Sequence, residues 1–183
     1  MADTVHIRGA TIMRGLRLLR DSRGGAAVEF ALVAPLLFLL TFAVIELGAM
    51  VLVQAQLDGA ARDAARLIRT GQAQVSADPQ TTFQTLLCSD MSKFAACANL
   101  AYYVQTFTTF SAAATALATP IPRDKNGNVV ANIFAPGAAS QVVTIRVMFN
   151  RPFITSLVGQ YLGGAYGSAF LTSTVVFLNE PFS

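Results

Sequence analysis

Apolar and polar positions divide the chain into unequal stretches, and the longest apolar one lies near its start. From Phe30 to Val53 there are 24 residues, mostly Ala, Leu, Val, Phe and Ile, with Glu46 the single charge. As a helix this run spans about 36 Å, enough to cross a bilayer core of about 30 Å. Pro35 and Gly48 lie inside it, and both are tolerated in membrane helices when neighbouring groups satisfy the freed backbone. From Gln54 the pattern changes without stopping. Leu57, Ala60, Ala61, Ala64, Leu67 and Ile68 recur at spacings of three and four, while Asp58, Arg62, Asp63, Arg66 and Arg69 fall on the other side. Asp58 with Arg62, and Asp63 with Arg66, are spaced to pair across a turn. Gly71 is placed to end the helix.

Beyond Gly71 the periods shorten. Asp78-Pro79 reads as a cap followed by proline at the first helical position, opening a short helix to about Cys88. Leu100, Tyr102, Val104 and Thr106 alternate with Ala101, Tyr103, Gln105 and Phe107, the period of a strand. Two more strands are expected over 142–149 and 170–178, with a short helix over 155–161 between them, ended by Gly163-Gly164. Residues 111–140 read as a surface insertion of loops and short strands, with Asn126-Gly127 as a tight turn. The expected fold class is α+β: a long N-terminal transmembrane helix continuing into a small exported domain with an antiparallel sheet. The expected organisation is a basic leader over 1–24, the helix and its amphipathic extension over 25–71, and the exported domain over 72–183.

Charge sets the orientation. Residues 1–23 carry Arg8, Arg14, Arg17, Arg20 and Arg23 against Asp3 and Asp21, which accounts for the whole net charge of +3. Basic flanks stay in the cytoplasm, so the N-terminus is expected inside and the C-terminal part outside. Outside this leader the basic residues are scattered with no aromatic interleaving, and no nucleic-acid contact is expected. The apolar run is too long for a cleaved secretory signal core, typically about 7–15 residues.

The order of features at the boundary is basic leader, Gly24-Gly25, Ala26-Ala27-Val28, Glu29, Phe30, then the apolar helix. It resembles the class III leader of type IV pilins. The stretch Gly24 to Leu37, then Glu46-Leu47-Gly48, then Gln54 to Arg66, resembles the TadE-like minor pseudopilins of the tight-adherence (Flp) pilus. The ending Val176 to Phe182 is similar to that of many members. The chain departs from the family at Leu47 and Ala49-Met50, where an aromatic and an arginine often flank the second glycine.

The resemblance implies a non-enzymatic pseudopilin, cut by a prepilin peptidase after Gly24, acting in biogenesis of a pilus used for surface adhesion and biofilm formation. Gly25 would then be the first residue, Glu29 the fifth and Phe30 the sixth; a cut after Gly25 puts Glu29 fourth, off the family pattern. It implies that Glu29 pairs with the amino terminus of a neighbouring subunit, which offsets the cost of a carboxylate in lipid. Implied partners are the peptidase, other pilins and pseudopilins, the inner-membrane assembly platform and the bilayer. The implied location is a single pass of the bacterial inner membrane with the C-terminal domain periplasmic, and possible incorporation in the pilus. Glu46, toward the outer interface, is expected either to snorkel to water or to pair with another component.

In that oxidising compartment Cys88 and Cys97, the two cysteines of the chain, are expected to form a disulfide. No cofactor and no metal are expected: two thiols lack further ligands nearby, and His6, the one histidine, lies in the leader. Without a histidine beyond the leader a nucleophile–His triad cannot form there, and the carboxylates Asp58, Asp63, Asp78, Asp90, Asp124 and Glu180 are scattered. The alternative is a signal-anchored periplasmic binding or sensor module that is never cut.

Overall fold

A computed structural model describes residues 24–91, 97–126, 128–130, 132–163 and 167–182. The leader with its five arginines and His6, and Gly127 and Gly164, lie outside the described residues. The chain forms two compact units, Met1–Val44 and Ile45–Ser183.

Helix α1, Gly25–Arg69, is unbroken for 45 residues and contains Pro35. In the first unit it is an apolar rod with exposed Val28, Leu32, Leu36, Leu40 and Val44. Its one polar side chain between Phe30 and Ile45, Thr41, turns its hydroxyl onto the Leu37 carbonyl at 2.8 Å. A hydroxyl satisfied by its own helix needs no water.

In the second unit α1 becomes one wall of a core. Val53, Leu57, Ala60, Ala61, Ala64, Ala65 and Ile68 are buried together with Phe83, Leu87 and Met91 of α2 (Pro79–Met91). This is the face that the spacing predicts, with Val53 and Ala65 added and Leu67 only partly buried. The expected ion pairs along α1 do not close among the described residues. Asp58 accepts instead from Gln54 Nε2 at 3.2 Å, and Arg69 pairs with Glu180.

Asp78 caps α2. Thr81 donates its backbone N–H to Oδ1 at 3.0 Å and its hydroxyl to Oδ2 at 2.6 Å. The hydroxyl, then the N–H, hold the Asp78 carboxyl below its ordinary value.

The sheet has the order β2-β1-β3-β4, with β1 Leu100–Phe107, β2 Ile133–Phe134, β3 Val142–Pro152 and β4 Ser168–Leu178. β3 pairs antiparallel with β1 (Leu100 opposite Phe149) and with β4 (Pro152 opposite Ser168). The sheet is mixed, and not wholly antiparallel as expected, because β2 runs parallel to β1 with Tyr103 opposite Ile133. This two-residue strand is held where Asn132 Oδ1 accepts from the Tyr102 N–H at 3.0 Å and the Ala135 N–H donates to the Val104 carbonyl at 2.9 Å.

Both faces of β3 are covered. Val143, Ile145, Val147 and Phe149 face the α1 core. On the other face lies α3, Phe110–Ala118, a helix where loops and short strands were expected. Thr109 caps it, accepting from the Ala112 N–H at 3.2 Å. Arg146 of β3 closes its far end, donating to the Ala116 and Thr119 carbonyls at 2.8 and 3.2 Å. That position is half-buried, and burial pushes the guanidinium pKa down. The turn at 124–128 is organised by Asp124, whose Oδ1 accepts from the N–H groups of Asn126 and Asn128, both at 2.8 Å. The Asn128 N–H is the larger cause of the lowered pKa of Asp124.

The chain after β4 returns to the end of α1. The Glu180 N–H donates to the Arg69 carbonyl at 2.9 Å, and Arg69 Nε meets Glu180 Oε1 at 3.2 Å. Gly71, in the left-handed region at φ 79°, lies directly under the Phe182 ring. Asn179, 1% exposed, donates from Nδ2 to the Pro136 and Ala138 carbonyls at 3.0 and 2.9 Å.

Candidate functional site

The sequence places its candidate residues at the start of α1, at Glu46 and at the cysteine pair, and the structure gives each a different setting. Gly24 and Gly25 are exposed at the first turn, and among the described residues no atom outside the local chain stands within 4 Å of where a side chain would begin. Glu29 and Phe30 follow one turn later, both exposed. The large apolar side chains around them are exposed; Leu32 is 76% exposed. A row of exposed Val, Leu and Phe of this length is not stable in water and needs an apolar partner or solvent.

Glu46 is different. It was expected to reach toward water or toward another pilus component; instead it is 4% exposed and bonded inside its own unit. Its Oε1 accepts from the Ile154 N–H and its Oε2 from the Thr155 N–H, the latter at 3.2 Å. Thr155 is the N-cap of α4, Ser156–Leu162, and its own side chain makes no capping bond. Glu46 thus satisfies from α1 the two backbone N–H groups that lead into α4. Two backbone donors offset the desolvation of the carboxylate.

The apolar run of the sequence is therefore divided at Glu46. Up to Ile45 its large side chains are exposed except the half-buried Leu39, whereas beyond it Met50 and Val53 are buried while Leu47, Val51 and Leu52 stay exposed. Gly25 to Ile45 is 21 residues, about 31 Å of helix, close to a bilayer core of about 30 Å.

Cys88 and Cys97 are joined by a disulfide, with Cα atoms 5.3 Å apart. It ties the last turn of α2 to the 3₁₀ turn Cys97–Asn99 that leads into β1. Among the described residues no group of three His, Cys, Asp or Glu is gathered to hold a metal.

Three functional contacts were missed from the sequence. The partners of Glu46 lie 108 and 109 residues away, and nothing local marks them. Asn179 and Phe182 were noticed as part of an ending, but their partners at Ala138 and Gly71 could not be read from it.

Residues 24–66 match the family model described as TadE-like protein. This segment is TadE-like. The match begins at Gly24 and takes in Glu29, Phe30, Glu46 and the buried α1 face except Ile68, leaving 67–183 outside it. No curated protein and no solved structure matches the chain. The TadE-like segment thus holds the one helix among the described residues that is long and apolar enough to cross a membrane.

Proposed function

We propose that the protein is a minor pseudopilin of a tight-adherence pilus, anchored in the inner membrane by Gly25–Ile45 with its folded unit in the periplasm. The observation that carries the reading is the TadE-like segment itself: a helix that opens at Gly25 and keeps most of its large apolar side chains exposed to Ile45. Such a rod needs lipid or the helices of other pilins. The disulfide supports an oxidising compartment for the folded unit.

In this reading a prepilin peptidase cuts after Gly24, where no atom of the described residues beyond the local chain crowds the glycines. The cut frees the α-amino group of Gly25 and leaves Glu29 fifth. Glu29 of one subunit then pairs with the amino terminus of its neighbour, so that the charge is neutralised only in the correct register. The folded unit presents its surface to other pilins and to the inner-membrane platform, and the assembled pilus serves surface adhesion and biofilm formation. No step calls for catalysis by this chain.

The test is the intact mass and N-terminal sequence of the protein from its native membrane, with and without the peptidase. A start at Gly25 that requires the peptidase is expected. A start at Met1 or Ala2 in both strains would exclude processing and leave an uncut membrane-anchored module. Gly24→Ala should slow the cut, and Glu29→Ala should leave insertion intact while lowering incorporation into pili. Normal pilus yield from Glu29→Ala would remove its assembly role.

A further inference from the structure

The short helix α4, Ser156–Leu162, has apolar residues on both sides. Val158 and Gly159 face inward and are buried. Ile154, Leu157 and Tyr161, spaced three and four apart and so on one side, are 82%, 51% and 81% exposed, and Leu162 beside them is also exposed. A surface helix of a protein bathed in water carries polar residues on that side. No charged residue occurs anywhere from Pro152 to Asn179.

The position of this patch is fixed. The N–H groups of Ile154 and Thr155 are bonded to Glu46, one residue beyond the last exposed position of the membrane-length segment. The other end of α4 is wedged by glycines. A side chain at Gly163 would begin 2.5 Å from Gly167 backbone, and one at Gly159 would begin 3.0 Å from Phe153 Cβ. These contacts pack α4 beside Glu46, the residue at which α1 leaves the membrane-length segment. On the turns of α1 just after Glu46, Leu47, Val51 and Leu52 are exposed as well.

We infer that α4 with Ile154 is a lipid-binding foot: it lies in the outer leaflet of the membrane that α1 crosses, with Ile154, Leu157 and Leu162 among the upper acyl chains and Tyr161 at the headgroup level. An apolar ring with a polar tip suits that boundary. Glu46 is the clamp that ties the foot to α1. The occupant of the patch is lipid because the chain itself brings the patch to the bilayer and offers no charge for an aqueous partner. This inference rests on the reading that Gly25–Ile45 spans the membrane.

The chain has no tryptophan, so a single one introduced into the full-length protein is an unambiguous reporter. Three variants are reconstituted separately, one copy per disc, in phosphatidylcholine–phosphatidylglycerol nanodiscs with or without bromines high on the acyl chains. Phe38→Trp reports the span, Tyr161→Trp the foot, and Val75→Trp, at the far end of α1, the aqueous side. Tyr161 and Val75 are largely exposed, so neither substitution disturbs packing. Brominated lipid is expected to quench Tyr161→Trp about two-fold, since an interfacial helix sits about 5–10 Å into the boundary, and to leave Val75→Trp unchanged.

Quenching at 38 with none at 161 overturns the foot while the membrane reading stands. Absence of quenching at 38 overturns the membrane reading and the foot with it. A Trp at 161 that is shielded from aqueous quenchers only when two copies share a disc would assign the patch to a second copy, and that too overturns the lipid assignment.

Discussion

At the scale of single residues, the groups with most consequence are buried polar side chains that satisfy distant backbone. Glu46→Ala leaves the N–H groups of Ile154 and Thr155 without their acceptor. The expected loss is about 2 kcal/mol, with Glu46→Gln losing less because one oxygen remains; thermal unfolding of the protein in detergent micelles measures both. Asn179→Ala strips the donor from the Pro136 and Ala138 carbonyls. It should cost about 1–3 kcal/mol, and Asn179→Asp should be no better, since a carboxylate has nothing to donate. Equal melting temperatures for wild type and Asn179→Ala would show that water replaces the amide at no cost.

Asp78 is an acid-sensitive cap. Its folded pKa lies below the ordinary 3.8, so its contribution is complete above the unfolded value and is lost as pH falls through the lower folded one. The expected result is that unfolding free energy falls less steeply on acidification below about pH 4 in Asp78→Ala than in wild type. Asp124, lowered by the Asn128 and Asn126 N–H groups, leaves a residual slope of the same sign.

At the scale of elements, the end of α1 is locked by the chain's last strand and tail. Gly71→Ala forces a left-handed residue that costs about 1–2 kcal/mol, and its methyl displaces the Phe182 ring. Adding Phe182→Ala should recover part of that loss, and a double-mutant cycle on the purified protein checks the coupling. Replacing Cys88 and Cys97 by serine should lower stability by about 2–3 kcal/mol through the small loop they close, read as the shift in unfolding midpoint.

The elements also show what the sequence could reveal. α1 was legible because a 3.6-residue period from Leu57 to Ile68 has charged residues on its other side. α2 was legible because Asp78-Pro79 carries both a cap and a fixed φ. The three long strands were legible from alternation and β-branched content. α3 was not. In Ser111-Ala112-Ala113-Ala114-Thr115-Ala116-Leu117-Ala118 only Ala113 is buried, so no apolar stripe stands against a polar one, and the helix rests on alanine propensity and the Thr109 cap. β2 escaped because two residues carry no period. Glu46 was legible as an anomaly in an apolar run, but its role was not, because its acceptor atoms are matched to donors more than a hundred residues on.

At the scale of the molecule, the apolar rod and the folded unit call on different solvents, and the division after Val44 coincides within two residues with Glu46. A single continuous helix meets both needs by changing the composition of its faces along its length. The core that covers its second part is assembled from β1, β3 and β4, the last two beginning at Val142 and Ser168. A chain made from its N-terminus therefore finishes α1 long before the strands that bury Leu57 to Ile68 exist. During that interval the waiting face is largely Ala60, Ala61, Ala64 and Ala65. Alanine exposes little apolar area per residue, so the unfinished molecule offers strangers a poor grip, while in the completed fold all four alanines are buried.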